Sequence, residues 1–151
     1  MTTEFNEIYL SSVIGRSVIN SKGEELGTLR DLVMIPGDVF PEVSHIVIKA
    51  RRGLKSLPWS EVALFTHVVI SVTGVNPPGL LSFEPRDDEI LVKRDLLDKQ
   101  IVDVDGAKVV RVNDIKLGNL NHKLCIFSVD IGFRGLLRRL GYERLGEAIA
   151  L

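Results

Sequence analysis

Apolar and polar positions recur along this chain in one pattern, used twice. When Val13–Met34 is laid over Leu96–Leu117, a shift of 83 residues, 22 positions align without a gap. Val13, Ile14, Val18, Ile19, Leu26, Leu29, Leu32 and Met34 meet Leu96, Leu97, Ile101, Val102, Val109, Val112, Ile115 and Leu117. Gly23 meets Gly106, and Asp31 meets Asp114. In the second copy Asp105-Gly106 stands between two apolar runs, a turn signal because glycine accepts positive φ without strain. In the first copy Ser21-Lys22-Gly23-Glu24 does the same with a longer loop. Beyond each turn the period-2 alternation breaks. Leu29 and Leu32 lie three apart, as do Val112 and Ile115, and a regular strand cannot put both members of such a pair on one face. This spacing predicts a β-bulge near Arg30-Asp31 and another near Asn113-Asp114, and a bend at matching places suits sheets that curl into barrels.

Further strands follow. Val43–Arg51 holds the β-branched run His45-Ile46-Val47-Ile48-Lys49, Val62–Val72 reads as one strand, and Lys123–Ile131 as another. Thr73–Asp88 carries Gly74, Pro77, Pro78, Gly79 and Pro85 and reads as a connection. Phe133–Gly141 predicts a short helix stopped by Gly141, with Leu136, Leu137 and Leu140 on one face and Arg134, Arg138 and Arg139 beside it. The abrupt apolar end Ala148–Leu151 fits a chain that continues in a longer protein. The fold class expected is all-β: two small β-barrel units, 1–74 and 89–151, joined by a linker over 75–88, the second with a C-terminal helical tail. A unit of ~70 residues supplies only ~3–5 kcal/mol from its own core. The two should therefore bury surface against each other or against a second chain, and a homodimer is one outcome.

The residues of the first unit carry a family resemblance. Ile14-Gly15-Arg16-Ser17-Val18-Ile19, Gly23 and Leu26-Gly27-Thr28-Leu29-Arg30-Asp31-Leu32-Val33 resemble the opening of a PRC-barrel. Leu57-Pro58-Trp59-Ser60-Glu61-Val62 is similar to the segment that closes one. That family takes in the reaction-centre H subunit and the ribosome-maturation factor RimM. A narrower resemblance lies at Ser128–Gly141, similar to a run in bacterial proteins that join PRC-barrel units to the MgtE N-domain and CBS domains of magnesium transporters. It implies a cytoplasmic accessory or regulatory piece of a magnesium-transport-related protein, whose partner is a protein or the following domains of a longer chain. The alternative, implied by the broader PRC-barrel resemblance, is an RNA- or ribosome-associated module like RimM.

Composition changes this picture little. The 151 residues are 45% hydrophobic and 26% charged, with a formal net charge of -1, which speaks against a general nucleic-acid binder. No apolar run approaches the ~20 residues of a spanning helix, so no membrane insertion is expected. The N-terminus has no signal core, the single cysteine, Cys125, fits a reducing compartment, and the expected address is cytoplasmic.

The candidate chemistry is sparse. Asp31 and Asp114 could share Mg²⁺ through carboxylate oxygens. Nothing in the sequence supplies further ligands, so the reading preferred is that each carboxylate satisfies backbone N–H groups at its bulge. Asp87-Asp88-Glu89 reads as a solvated turn. Lys49, Arg51, Arg52 and Lys55 could meet RNA, but no aromatics are interleaved with them, and a charged hairpin edge that discourages strand pairing is preferred. His45, His67 and His122 lack metal-ligand spacing, Cys125 between Leu124 and Ile126 should be buried rather than nucleophilic, and Ser11 and Ser12 have no nucleophile-elbow context. We therefore expect no enzyme, cofactor or metal. The interaction surface expected is Arg134, Leu136, Leu137, Arg138, Arg139 and Leu140, with arginines free to pair with acidic groups.

Overall fold

In the computed structural model, which describes residues 7–97, 99–102 and 109–131, the conflict between Leu29 and Leu32 is resolved by a bulge, as the spacing requires. In chain order the elements are β1 (Glu7–Tyr9), α1 (Leu10–Val13), β2 (Ser17–Ile19), β3 (Glu25–Ile35), β4 (Glu42–Ala50) and β5 (Gly53–Pro58). A 3₁₀ turn (Trp59–Glu61) leads to β6 (Val62–Phe65), β7 (Ile70–Val72), β8 (Leu81–Ser82) and β9 (Ile90–Leu91). A wide helical turn (Val92–Leu96), closed by the Leu97 N–H on the Val92 carbonyl at 3.2 Å, precedes β10 (Gln100–Val102), β11 (Val109–Leu120) and β12 (Lys123–Ile131). The class is mainly β: a curled sheet whose pairing order runs β1-β11-β12-β4-β3-β2-β7-β6. The predicted tail helix, with Arg134, Leu136, Leu137, Arg138, Arg139 and Leu140, lies outside the described residues, as does the Asp105-Gly106 turn.

Register repeats along the chain. Ser17 pairs with Thr28 and, 83 residues on, Gln100 pairs with Arg111. On β3 the register to β4 slips between Leu29 and Asp31 and again between Val33 and Met34. On β11 the register to β12 slips between Val112 and Asp114 and between Lys116 and Leu117, at the aligned positions. One helical turn stands before each hairpin, α1 before β2–β3 and Val92–Leu96 before β10–β11. The short strands before these turns cross over. β1 pairs antiparallel with β11, Ile8 facing Leu117, and β9 pairs antiparallel with β3, Val33 facing Leu91. A single core results: Leu10, Val13 and Ile8 pack with Leu29, Leu32 and Ile46 and also with Val112, Ile115, Leu117 and Leu124. A satellite cluster of Val33, Val47 and Leu91 lies under Leu54 and Phe83.

Two local expectations need correction. Val62–Val72 is two strands, because the Thr66 hydroxyl accepts the N–H groups of Val68 and Val69 and donates to the Val69 carbonyl, reversing the chain without glycine or proline. His67 therefore sits in an exposed turn and not in a strand. The Pro/Gly-rich stretch before Asp88 also carries β8, whose Ser82 and Leu81 pair with Lys55 and Ser56 of β5. The loop before Glu25 is organised by the buried Asn20, whose Oδ1 accepts the N–H groups of Lys22 and Glu24 at 2.9 and 3.0 Å.

Candidate functional site: two aspartate caps and the Trp59 cleft

Asp31 stands at the first bulge of β3 with 5% of its surface exposed. Its Oδ1 accepts the N–H groups of Leu32 at 2.8 Å and Lys93 at 2.7 Å, and its Oδ2 accepts that of Arg94 at 3.0 Å. Lys93 and Arg94 open the second helical turn, where N–H groups have no partner inside the turn. Asp114, at the matching bulge of β11, accepts the N–H groups of Ile115 at 2.8 Å and Ser11 at 3.1 Å, and the Ser11 hydroxyl donates to its Oδ2. Ser11 belongs to α1. Each bulge carboxylate thus caps the helical turn that precedes the other hairpin.

The two caps differ in their surroundings. Burial pushes the Asp31 carboxyl above its ordinary value, against the pull of the Lys93, Leu32 and Arg94 N–H groups. Asp114 is only half-buried, and its Ser11 partner is exposed. Next to the Asp31 cap, Arg94 donates from Nε and Nη2 to the two carboxylate oxygens of Asp95 at 2.9 Å each. Its Nη2 also reaches the Arg86 and Glu89 carbonyls at 3.0 and 2.9 Å, fastening the acidic loop that includes Asp87 and Asp88. Burial pushes Asp95 up, but the bonds from Arg94 and the Leu91 N–H outweigh it and hold the carboxyl below its ordinary value. The Asp95 bonds also raise the Arg94 guanidinium.

An open cleft of about 640 Å³ lies between β6 and the tip of the β11–β12 hairpin. Trp59, Leu64 and Phe65 line one side, and Asn119, Asn121 and His122 the other. Asn121 and His122 have φ of 51° and 65° and form the two-residue turn between the paired Leu120 and Lys123, the geometry that matches strand twist. The Trp59 Nε1–H donates to the His122 carbonyl at 2.9 Å, and its ring meets Phe65 edge-to-face at 5.4 Å. This bond fixes the indole across the cleft and joins segments 63 residues apart. In the sequence Trp59 stood out only as part of the Leu57–Val62 segment. Its pairing with His122 had no local signal.

The remaining candidates are placed as follows. His45 lies in β4 with Nδ1 2.9 Å from the Ser44 hydroxyl. Ser12 donates to the Tyr9 carbonyl at 2.7 Å. Among the described residues no three His, Cys, Asp or Glu side chains gather as a metal site would require. Among the same residues no helix is long and apolar enough to cross a membrane. Lys49, Arg51 and Arg52 are exposed and Lys55 half-buried, at the tip of the β4–β5 hairpin. Cys125 is buried, and burial followed by the negative charge of Glu42 pushes its thiol up. In the folded chain Cys125 should react with iodoacetamide at neutral pH at least tenfold more slowly than in denaturant. Equal rates would mean that β12 opens readily.

These features define a small curled β-sheet module built of hairpins. In comparison with known families, the PRC-barrel domain matches residues 5–70, which takes in β1 to β6. Over that stretch the chain is similar to a small β-barrel module. No curated protein matches the chain.

Proposed function

We propose that the chain is a non-catalytic interaction and regulatory module made of two PRC-barrel units, serving a magnesium-transport-related protein at the cytoplasmic face of the membrane. The repeated bulges, the repeated hairpin register and the crossed aspartate caps support the second unit. The likeness of Ser128–Gly141 to transporter-linked proteins supports the context. The observation that carries an interaction role is the Trp59 cleft. It stands beside β6, the last strand of the pairing order, whose Val62-Ala63-Leu64-Phe65 has no charge and leaves Leu64 47% exposed. An uncharged strand at the end of a sheet invites pairing with another segment. Magnesium acts in this reading on the partner, since the oxygens of Asp31 and Asp114 already accept N–H and O–H donors.

The test is calorimetric titration of the chain with the cytoplasmic MgtE N-domain and CBS domains of a magnesium transporter. Binding is expected, with Leu64→Arg weakening it at least tenfold and leaving the melting temperature within a few degrees, because Leu64 contributes little to the core. Absence of binding by the parent chain would remove the transporter context, and equal binding by Leu64→Arg would remove the cleft. Millimolar Mg²⁺ alone should give no heat.

A further inference from the structure

We infer that the tip of the β4–β5 hairpin is a docking surface for an anionic lipid bilayer. The tip is tight: Ala50 pairs with Gly53, and Arg51 and Arg52 form the connection. Lys49 and Lys55 flank it, so four cations fall within seven residues, although the whole chain carries a net charge of -1. Arg51, Arg52 and Lys49 are exposed, and among the described residues none of the four makes an ion pair. By contrast Lys116, Lys123, Arg86 and Arg94 each hold a carboxylate. A charged edge that merely discouraged strand pairing would not need this concentration at the turn, and the edge of β5 is in any case occupied by β8.

The neighbours of the tip select the partner. β8 sets Ser82 opposite Lys55 and Leu81 opposite Ser56, and Leu81 is 64% exposed. An aliphatic side chain beside cations suits a bilayer surface, where lysine and arginine meet phosphate and leucine enters the acyl boundary. Single-stranded RNA would call for aromatic rings on which bases stack. The tip offers none: the nearby Phe83 is half-buried in the satellite cluster with Val33, Val47 and Leu91. The Phe83 N–H donates to the Leu54 carbonyl at 2.9 Å, and Glu84 follows Phe83 in the chain, beyond the end of β8. This surface is separate from the Trp59 cleft and does not depend on what the cleft binds.

The full chain should co-sediment with vesicles of phosphatidylcholine mixed with phosphatidylglycerol and not with vesicles of phosphatidylcholine alone. Each cation near the surface contributes about fivefold in affinity, so Arg51→Ala with Arg52→Ala should weaken binding about 25-fold. Salt at 1 M, where the screening length is about 3 Å, should release the protein. Leu81→Ser should weaken binding severalfold without altering its salt dependence. All three substitutions lie at exposed positions, and unchanged thermal melting of each variant verifies folding. Binding equal on neutral and anionic vesicles, no binding to either, or an arginine double variant that binds like the parent would overturn the proposal. Tighter binding to single-stranded RNA than to the anionic vesicles would overturn it in favour of a nucleic-acid surface.

Discussion

Replacing Asp31 with alanine should cost the fold about 3 kcal/mol, whereas the same change at Asp114 should cost about 1 kcal/mol. Both residues stand at the same point of the repeated pattern and both cap a helical turn, so sequence alone would rank them equal. Burial separates them. Without the Asp31 carboxylate, the N–H groups of Leu32, Lys93 and Arg94 lose their acceptor in a place water reaches poorly, and each buried unpaired donor costs about 1–3 kcal/mol. Part of that loss is offset, because the carboxylate no longer has to be held away from water. At Asp114 the cap is half-buried, and water can take the place of the lost acceptor. Asp31→Asn should fall between the two. One amide oxygen can still accept, but the NH₂ group then faces an N–H donor. Urea unfolding would read the differences as shifts in midpoint at constant slope. An Asp114→Ala variant that loses as much as Asp31→Ala would sink the claim that burial sets the value of the caps.

The acid response of the fold carries the same signature. The folded-state pKa of Asp31 is raised, so the folded chain takes up this proton before the unfolded chain does. Its contribution to stability therefore improves as pH falls from the raised value toward the ordinary 3.8, and Asp31→Asn should abolish that improvement. Asp95 acts in the opposite sense. Its pKa is lowered, so its stabilisation is complete above 3.8 and is lost as pH falls through the lower folded value. Acid unfolding of the parent should accordingly begin in the Asp95 window and not in the Asp31 window.

How much of this is legible in the sequence depends on how local each cause is. Three-residue spacing between Leu29 and Leu32, and between Val112 and Ile115, is a local conflict with the strand period, and it located both bulges. The aspartates beside the bulges were also legible as candidates, because they align. Their donors were not, since the N–H groups of Ser11, Lys93 and Arg94 belong to single helical turns too short to show a 3.6 periodicity. The crossing of β1 onto β11 and of β9 onto β3 was hidden for the same reason: strands of two or three residues carry no alternation to read. The turn at Thr66 escaped because a hydroxyl, not glycine or proline, supplies its hydrogen bonds. The Trp59 cleft needed two segments far apart in sequence to meet, and neither segment announces the other.

The second large effect is expected at Gly27, where the repeat would mislead anyone who trusted it. The position aligned with Gly27 is Val110, and Val110 faces Ile101 as Gly27 faces Val18. By that logic Gly27→Val should be harmless. The packing around β3 argues otherwise. A Cβ on Gly27 would stand 2.4 Å from the Lys49 carbonyl oxygen, 2.6 Å from Ile48 Cγ2 and 2.9 Å from the Lys49 carbonyl carbon. Two of these contacts are backbone atoms of β4, which cannot step aside while Thr28 stays paired with Lys49 and Leu29 with Ile48. On the other side, the Leu29 N–H is held by the Arg16 carbonyl and the Leu29 carbonyl by the Gly15 N–H, at 2.9 and 2.8 Å. The φ of +154° adds strain for any residue with a side chain. Overpacking and backbone strain together put Gly27→Ala at about 3 kcal/mol. Gly27→Val should cost more, since a β-branched residue at positive φ is an outlier, and should leave the chain largely unfolded at room temperature. Gly53 is the control: its φ is +120°, but a Cβ there meets open space, so Gly53→Ala should lose only about 1 kcal/mol from strain. If Gly27→Ala and Gly53→Ala lower the urea midpoint equally, the close approach of β3 to β4 is not what demands glycine at position 27, and conformational strain alone suffices.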